Sequence, residues 1–446
     1  MLKRCVQPIQ LGLVLVSILV GGSGVYAKAD AESVSSSAGS QFADNSGYRL
    51  IPDRRRDQIR TEPGYIASPI AVNIPGIGFS YGVVGSIFNI NQTEMDSFFF
   101  TSNGDTNGFG LGLVDTPIWG DRLTFNLFHS RFRDTGLESH DRGIHSDPAN
   151  KRILKLKTTN VAVMQLTARF WKKRIQFNLG LFRNQGTLDK ILNDDGEVIA
   201  DPEDQTSTRL SRLAGGTLDF TDDRSDPRKG WQLEIQYFQP PLGSDFEADY
   251  YIMDYNTLFY VPVGRLSTWV FNAYRSDAIV TRSGETDVSK IRAEKSLSCE
   301  NLPSFSRGAC EKEENKIVAE SLAANRNGTA AGIGGTQRMR SYVTGRFKAA
   351  HAQVFGSEFR LNLTEEFAPF NVYVAKGIRT GVQLAFFSEW GTVADDVGEI
   401  FNSYKRSYGA GLRLIVASGF IVRLDVARGD EGIQPTLFFN YPWFVF

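Results

Sequence analysis

The sequence predicts an all-β fold: one transmembrane antiparallel β-barrel of 14–16 strands, preceded by a short N-terminal arm. Three observations carry this expectation. An export leader opens the chain, apolar residues alternate with polar ones over most of its length, and the last residues are aromatic and end on Phe446.

The leader comes first. Lys3 and Arg4 form a positive start, Leu11 to Gly22 is apolar or small, and Val25-Tyr26-Ala27 suits a signal peptidase. Residues 1–27 are therefore read as a signal peptide. The apolar stretch is too short and glycine-rich for a membrane-spanning helix, and no other run of about twenty apolar residues follows. Residues 28–65 are rich in Ser, Ala, Asp and Arg without periodicity, which reads as a flexible periplasmic arm. Residues 66–446 are the barrel.

The barrel reading rests on period two. Trp231, Leu233, Ile235 and Tyr237 alternate with Gln232, Glu234 and Gln236; Ile175, Phe177, Leu179 and Leu181 alternate with Gln176, Asn178 and Gly180. Phe355 to Leu363 and Phe420 to Val426 repeat the pattern, with Glu358, Arg360, Arg423 and Asp425 on the polar phase. A soluble sandwich alternates too, but the leader, the scarcity of helix-period segments and the aromatic end favour a membrane barrel, which lipid obliges to close. The chain has 43 Gly, 32 Phe and 15 Tyr, as suits strands in which only alternate residues meet lipid. Strands are expected at 76–90, 97–118, 120–133, 157–172, 174–186, 208–223, 229–240, 248–262, 265–278, 353–364, 378–393, 405–417, 419–428 and 435–446. That gives fourteen, or sixteen if 97–118 is two strands and one more is hidden. Short connections such as Gly120-Asp121 and Lys172-Lys173 read as periplasmic turns, and 134–156, 187–207, 279–340 and 394–404 as surface loops.

Chemistry is sparse. A formal net charge of −1 gives no basis for a nucleic-acid partner. His140 and His145 share a polar loop with Asp141 and Asp147, a setting that suits solvation better than a metal. His129 and His351 lack a hydrolase signature, and there is no G-x-S-x-G or phosphate-binding loop. The expectation is no enzyme, no metal and no cofactor. Cys299 and Cys310, close together in one polar segment, are expected to form a loop disulfide, with two free thiols as the alternative.

Four stretches carry a resemblance. Asp222-Asp223-Arg224-Ser225-Asp226-Pro227-Arg228-Lys229-Gly230 resembles a D-x-R-x-x-P-x-x-G turn, and Gly334-Gly335-Thr336-Gln337-Arg338-Met339-Arg340-Ser341-Tyr342 resembles G-G-x-x-x-x-R-G-Y. Ser357-Glu358-Phe359 and Phe386-Phe387-Ser388-Glu389-Trp390-Gly391-Thr392-Val393 resemble the acidic strands that follow, with Glu389 where Asp is usual. Together they resemble the outer-membrane assembly-factor superfamily of BamA, TamA and the two-partner secretion transporters, over about 208–446 and more weakly back to about 75. The resemblance implies a bacterial outer-membrane location and a long extracellular loop folded into the lumen, with Arg340 and Tyr342 at its tip. Alternation turns Glu358 and Glu389 inward, so Arg340 can pair with either. Ser341 replaces the usual glycine, which puts the tip's backbone in question.

The resemblance further implies insertion or translocation of an unfolded protein or a lipid client among outer-membrane lipids; a passive channel or structural barrel is the alternative. The larger members carry periplasmic POTRA domains, for which 28–75 leaves no room, so a separate periplasmic partner is the expectation. The glycines of Gly76 to Gly85 and Pro442 suggest a weak seam between first and last strands, though they equally suit a tight bend and a frayed end. Phe444 and Phe446 are expected to act as a C-terminal assembly signal, within a girdle that includes Phe439, Tyr441 and Trp443.

Overall fold

The computed structural model describes residues 64–443, apart from 92, 94, 201–204, 224–225, 244, 265, 298, 302–303, 365–369, 373–374, 379 and 417–419. The expected leader, most of the arm, Phe444 and Phe446 thus lie outside the described residues.

Sixteen antiparallel strands close into a barrel, each paired with its neighbours in sequence. They are β1 Gly64–Ile74, β2 Gly78–Ile90, β3 Met95–Gly104, β4 Asn107–Trp119, β5 Leu123–His140, β6 Lys151–Phe170, β7 Ile175–Leu192 and β8 Gln205–Asp219. The second half is β9 Gly230–Gln239, β10 Asp249–Val263, β11 Ser267–Arg282, β12 His351–Asn362, β13 Thr380–Ala394, β14 Lys405–Val416, β15 Phe420–Gly429 and β16 Gly432–Phe439. Short strands at Val198–Ala200, Phe370–Val372 and Ala375–Ile378 add to the sheet. The sixteen arise from the expected fourteen in two ways. The segment 97–118 turns at Asp105 and makes β3 and β4, and β1 lies where the arm was expected to end.

The two ends of the barrel differ in their connections, the longest of which lies at one end. One end carries 120–122, 171–174 and 264–266. The other carries 141–150, 193–204 and the 68-residue connection 283–350 between β11 and β12. That connection was expected to be plain loop, but it holds two helices, α1 (Val288–Lys295) and α2 (Ser304–Asn327). Asp287 caps α1 by accepting from the Ser289 N–H at 2.8 Å. Cys299 and Cys310 are bonded, Cα–Cα 5.6 Å, tying the start of α2 to the segment before it.

Alternation decides what faces lipid. Phe177, Leu179 and Leu181 of β7, Met164 and Leu166 of β6, and Phe79, Tyr81 and Val83 of β2 are exposed, forming an apolar outer belt. Their alternate neighbours point inward, and the inward face is divided. Along β3 and β5 to β7 it is apolar: Phe100, Phe128, Phe132, Val161, Val163 and Phe182 belong to one buried cluster that reaches Phe238 of β9 and Phe438 of β16. Along β12 to β15 it is charged.

The seam also differs from expectation. β2, which carries Gly78, Gly82 and Gly85, is not a seam strand: it pairs along all of β1 and again with β3, so those glycines do not loosen the closure. The closing strands are β1 and β16, whose register among the described residues is a single pair, Asn73 with Leu437, supported by the Asn73 amide donating to Pro435 O at 2.9 Å. Tyr65 and Ile66 of β1 pair instead with Lys376 and Ala375. Each seam strand holds a proline, Pro69 and Pro435, which sheets confine to edges. Pro442 lies past β16, not within it.

Candidate functional site

The lumen holds the candidate site, and two segments enter it from opposite ends. From the long-loop end, residues 328–350 descend after α2. Gly334 (φ 118) turns the chain, and a side chain there would meet Val343 O. The left-handed residue at the tip is Met339 (φ 53); Ser341 needs no positive φ, so its replacement of glycine is harmless to the backbone. Its N–H donates to Ser407 Oγ at 3.0 Å.

Arg340 sits fully buried at the bottom of this loop. Its Nη1 is 3.0 Å from Glu358 and 3.0 Å from Asp425, and its Nε is 3.3 Å from Glu389. Its backbone N–H also donates to Glu389, at 2.9 Å. The choice between Glu358 and Glu389 is thus resolved as both, with Asp425 added. Glu358 in turn receives Arg413 at 2.6 Å and Arg360 at 2.8 Å, while Asp425 receives Arg423 at 2.8 Å. Four guanidiniums therefore face three carboxylates in a buried cluster. Charges that dry persist only when paired, and each of these has an opposite charge in contact, although Arg340 Nη2, Arg360 Nη1, Arg413 Nε, Arg423 Nε and Asp425 Oδ1 have no partner among the described residues. The Arg340 guanidinium also lies 3.3 Å from the centre of the Phe387 ring. Tyr342 donates from its hydroxyl to Arg406 O at 3.0 Å and packs edge-on against Phe347.

From the short-turn end comes the C-terminal segment. Tyr441 and Trp443 were expected in an interface girdle; instead both are buried in the lumen. The chain turns inward at Asn440 (φ 64), just past β16. Trp443 Nε1 donates to Glu389 at 2.7 Å, its N–H donates to Gln337 O at 3.1 Å, and its carbonyl accepts from Asn256 at 2.7 Å. The approach is possible because β12 carries Gly356, where a side chain would collide with the indole. Tyr441 donates to Asp226, in the turn between β8 and β9.

That turn contains the other expected motif. Asp222 accepts from the backbone N–H of Arg228 and Lys229, at 2.9 and 3.0 Å, and Gly230 (φ 108) starts β9. Pro227 is buried between them. Arg228 pairs with Asp226 at 3.3 Å, and Arg224 lies outside the described residues.

Residues 87–293 match the model of the Omp85 superfamily domain. The barrel thus contains an Omp85 superfamily domain over that span. Similar solved structures include BamA from Haemophilus ducreyi lacking POTRA domains 1–3, at 13% identity and TM-score 0.43, covering 85% of this chain and 69% of that one. CdiB from Escherichia coli is similar at 12% identity and TM-score 0.45 over 84% of this chain and 62% of that one. CdiB from Acinetobacter baumannii is similar at 10% and 0.40 over 85% and 59%. The chain spans about three fifths of the length of each CdiB chain. No curated protein matches.

The partners of Arg340 that motif spacing did not disclose are Asp425 of β15 and, at 5.4 Å, the Trp443 ring of the C-terminal segment. Arg423 and Asp425 were visible as the polar phase of β15, but alternation gives a face, not a partner. Trp443 had no signal, since an aromatic near a barrel's end reads as a girdle residue. The apolar half of the lumen was equally hidden. An inward phenylalanine and an outward one look alike in sequence.

Proposed function

We propose that this outer-membrane barrel acts as an assembly-factor-like device that inserts or translocates a protein or lipid client without bond chemistry. The β1–β16 seam is its yielding element, and the Arg340 loop is the plug. The observation that carries this reading is the combination of a filled lumen with a closure of one residue pair. A lumen half lined by packed phenylalanines and half by paired charges, with the Arg340 loop inside it, favours a plugged barrel over a passive channel. The seam, by contrast, costs little backbone pairing to part. Clients, and a separate periplasmic partner that would deliver them, belong to this proposal.

The test is a cross-link at the seam. Asn73 and Leu437 are directly opposite, so Asn73→Cys with Leu437→Cys satisfies disulfide spacing. With the cross-link oxidised, purified barrel in vesicles should lose its stimulation of client-barrel insertion and regain it on reduction, with heat-modifiable mobility unchanged. Full activity of the oxidised form would remove the seam from the mechanism.

A further inference from the structure

The outer surface carries a feature that client handling does not use. Beside Lys151, which pairs with Glu138 and Asp194, and exposed Lys157, six further cations lie on the outward face of β5 to β8: Arg131, Arg133, Lys155, Arg183, Lys190 and Arg212. Each alternates with buried inward neighbours, such as Phe132, Leu154, Phe182 and Ser211. Register brings them together. Arg131 is level with Asn160 of β6, one step along from Ala162, which is opposite Arg183. Arg183 is opposite Leu210 of β8, and Arg212 is two residues further along that strand. Lys155 and Lys190 are directly opposed, a like-charge pair that is unfavourable unless an anion lies between or beside them.

Elsewhere some outward cations are paired: Arg275 is 2.6 Å from Asp277 and Arg282 is 2.7 Å from Asp249, whereas Arg406 and Arg428, exposed on the outward phase of β14 and β15, join no ion pair among the described residues. Asp134 and Asp189 lie within the same span of β5 and β7. Among the described residues, no ion pair joins either of them to the six. A concentration of unpaired cations on one side calls for an external anion.

Position says which kind. On β7 the exposed Phe177, Leu179 and Leu181 lead up to Arg183 from the short-turn end. Arg183 is eight residues above Ile175, about 27 Å along the strand and roughly 20 Å along the membrane normal at a tilt of ~40°. The apolar band of such barrels is about 25 Å tall, so the guanidinium extends to headgroup level on the long-loop side. From β5 to β8 the patch spans three strand steps, about 14 Å. That width suits several phosphates carried on a saccharide better than the single phosphate of a glycerophospholipid.

We propose that the outward upper face of β5–β8 is a binding surface for the phosphorylated saccharide headgroup of an outer-leaflet glycolipid. Arg131, Arg183 and Arg212 grip the phosphates, and the apolar residues beneath meet the acyl chains.

The experiment uses the full chain in phosphatidylcholine vesicles titrated with bisphosphorylated lipid A, with bound lipid counted by native mass spectrometry. Arg131→Gln, Arg183→Gln and Arg212→Gln combined should weaken binding about a hundredfold. The corresponding three Arg→Lys changes should weaken it far less, since each keeps its charge. Lys312→Gln with Arg326→Gln on α2 should change nothing. Heat-modifiable mobility reports folding, and if the triple Gln variant does not fold, Lys155→Gln with Lys190→Gln is read instead. Unchanged binding by the folded Gln variant overturns the proposal, as does equal binding of dephosphorylated lipid A. Equal competition by phosphatidylglycerol at matched phosphate also overturns it, leaving a charged surface without headgroup preference. None of these outcomes bears on client insertion, so failure here leaves the seam reading standing.

Discussion

Replacing Arg340 with alanine tests the plug most directly, and the structure shows where the loss would fall. Glu358 would keep Arg413 and Arg360, and Asp425 would keep Arg423. Glu389 would not be so protected: among the described residues Arg340 is its one cation, and its remaining donors are the Arg340 backbone N–H and the Trp443 indole. Arg340→Ala therefore strands one buried carboxylate. Breaking a buried pair this way costs about 3–5 kcal/mol. Even the lower figure multiplies the undocked loop population by a factor on the order of a hundred.

Two assays read that shift. In planar bilayers the wild type should show rare openings, and Arg340→Ala frequent or sustained ones. Trypsin should cleave the folded variant within the loop, at Arg338 or Arg346, sites the docked loop hides. Glu389→Gln in the Arg340→Ala background removes the stranded charge and should recover part of the loss, a coupling of 1 kcal/mol or more on the scale of ~0.5–3 kcal/mol for touching residues. If Arg340→Ala leaves conductance and tryptic protection unchanged, or if Glu389→Gln has no compensating effect, the buried network does not hold the loop.

Two further outcomes concern the cap of the barrel. Cys299→Ser with Cys310→Ser should cost α2 on the order of 2–3 kcal/mol of local stability, seen as faster hydrogen exchange over 304–327 without a change in conductance. α2 should also loosen in acid. Burial alone would raise the Glu320 carboxyl, but Lys348 and Arg152 outweigh it and hold it below the usual carboxylate range. A depressed folded pKa gives stability that is present above the unfolded value of about 4.3 and lost as pH falls through the folded one. Exchange over α2 should therefore accelerate below about pH 4; a flat profile between pH 6 and pH 3 would count against the Arg152–Glu320–Lys348 contact.

How much of this could be read from the chain follows from what alternation encodes. Period two fixes which residues share a face, so the polar phase containing Glu358 and Arg360, and that of Arg423 and Asp425, was legible at once. Arg340 was legible only through its motif, because no periodicity runs through a loop. β1 was missed because Pro69 and its weakly alternating neighbours resemble a linker; a full ladder with β2 forms it. The helices of the long loop were missed because α2 mixes charge and small residues around its whole circumference, so no apolar stripe announces it. The inward turn at Asn440 is a tertiary event. It needs the space over Gly356 and the donors of Gln337 and Asn256, which are remote in sequence.

That turn joins the plug to the seam. β16 ends at Phe439, and four residues later Trp443 bonds to the carboxylate that anchors Arg340. Were β16 to swing away from β1 as proposed, it would have to pull on Trp443 or unbend the chain at 440–442. Either movement withdraws a donor from Glu389 and loosens the loop; conversely, a docked loop restrains β16. Seam and plug are then two readouts of one equilibrium, and a change at the indole should move both. Trp443→Phe keeps an aromatic ring beside Gly356 but removes the Nε1 donor, a hydrogen bond to a charged group worth about 1.5–3 kcal/mol. Channel openings should rise by about tenfold or more. The Asn73→Cys with Leu437→Cys disulfide should form more slowly in the same background, because the strands spend less time in register. Faster openings with an unchanged cross-linking rate would show that the plug moves independently of the seam, and lateral opening would then need a trigger other than the loop.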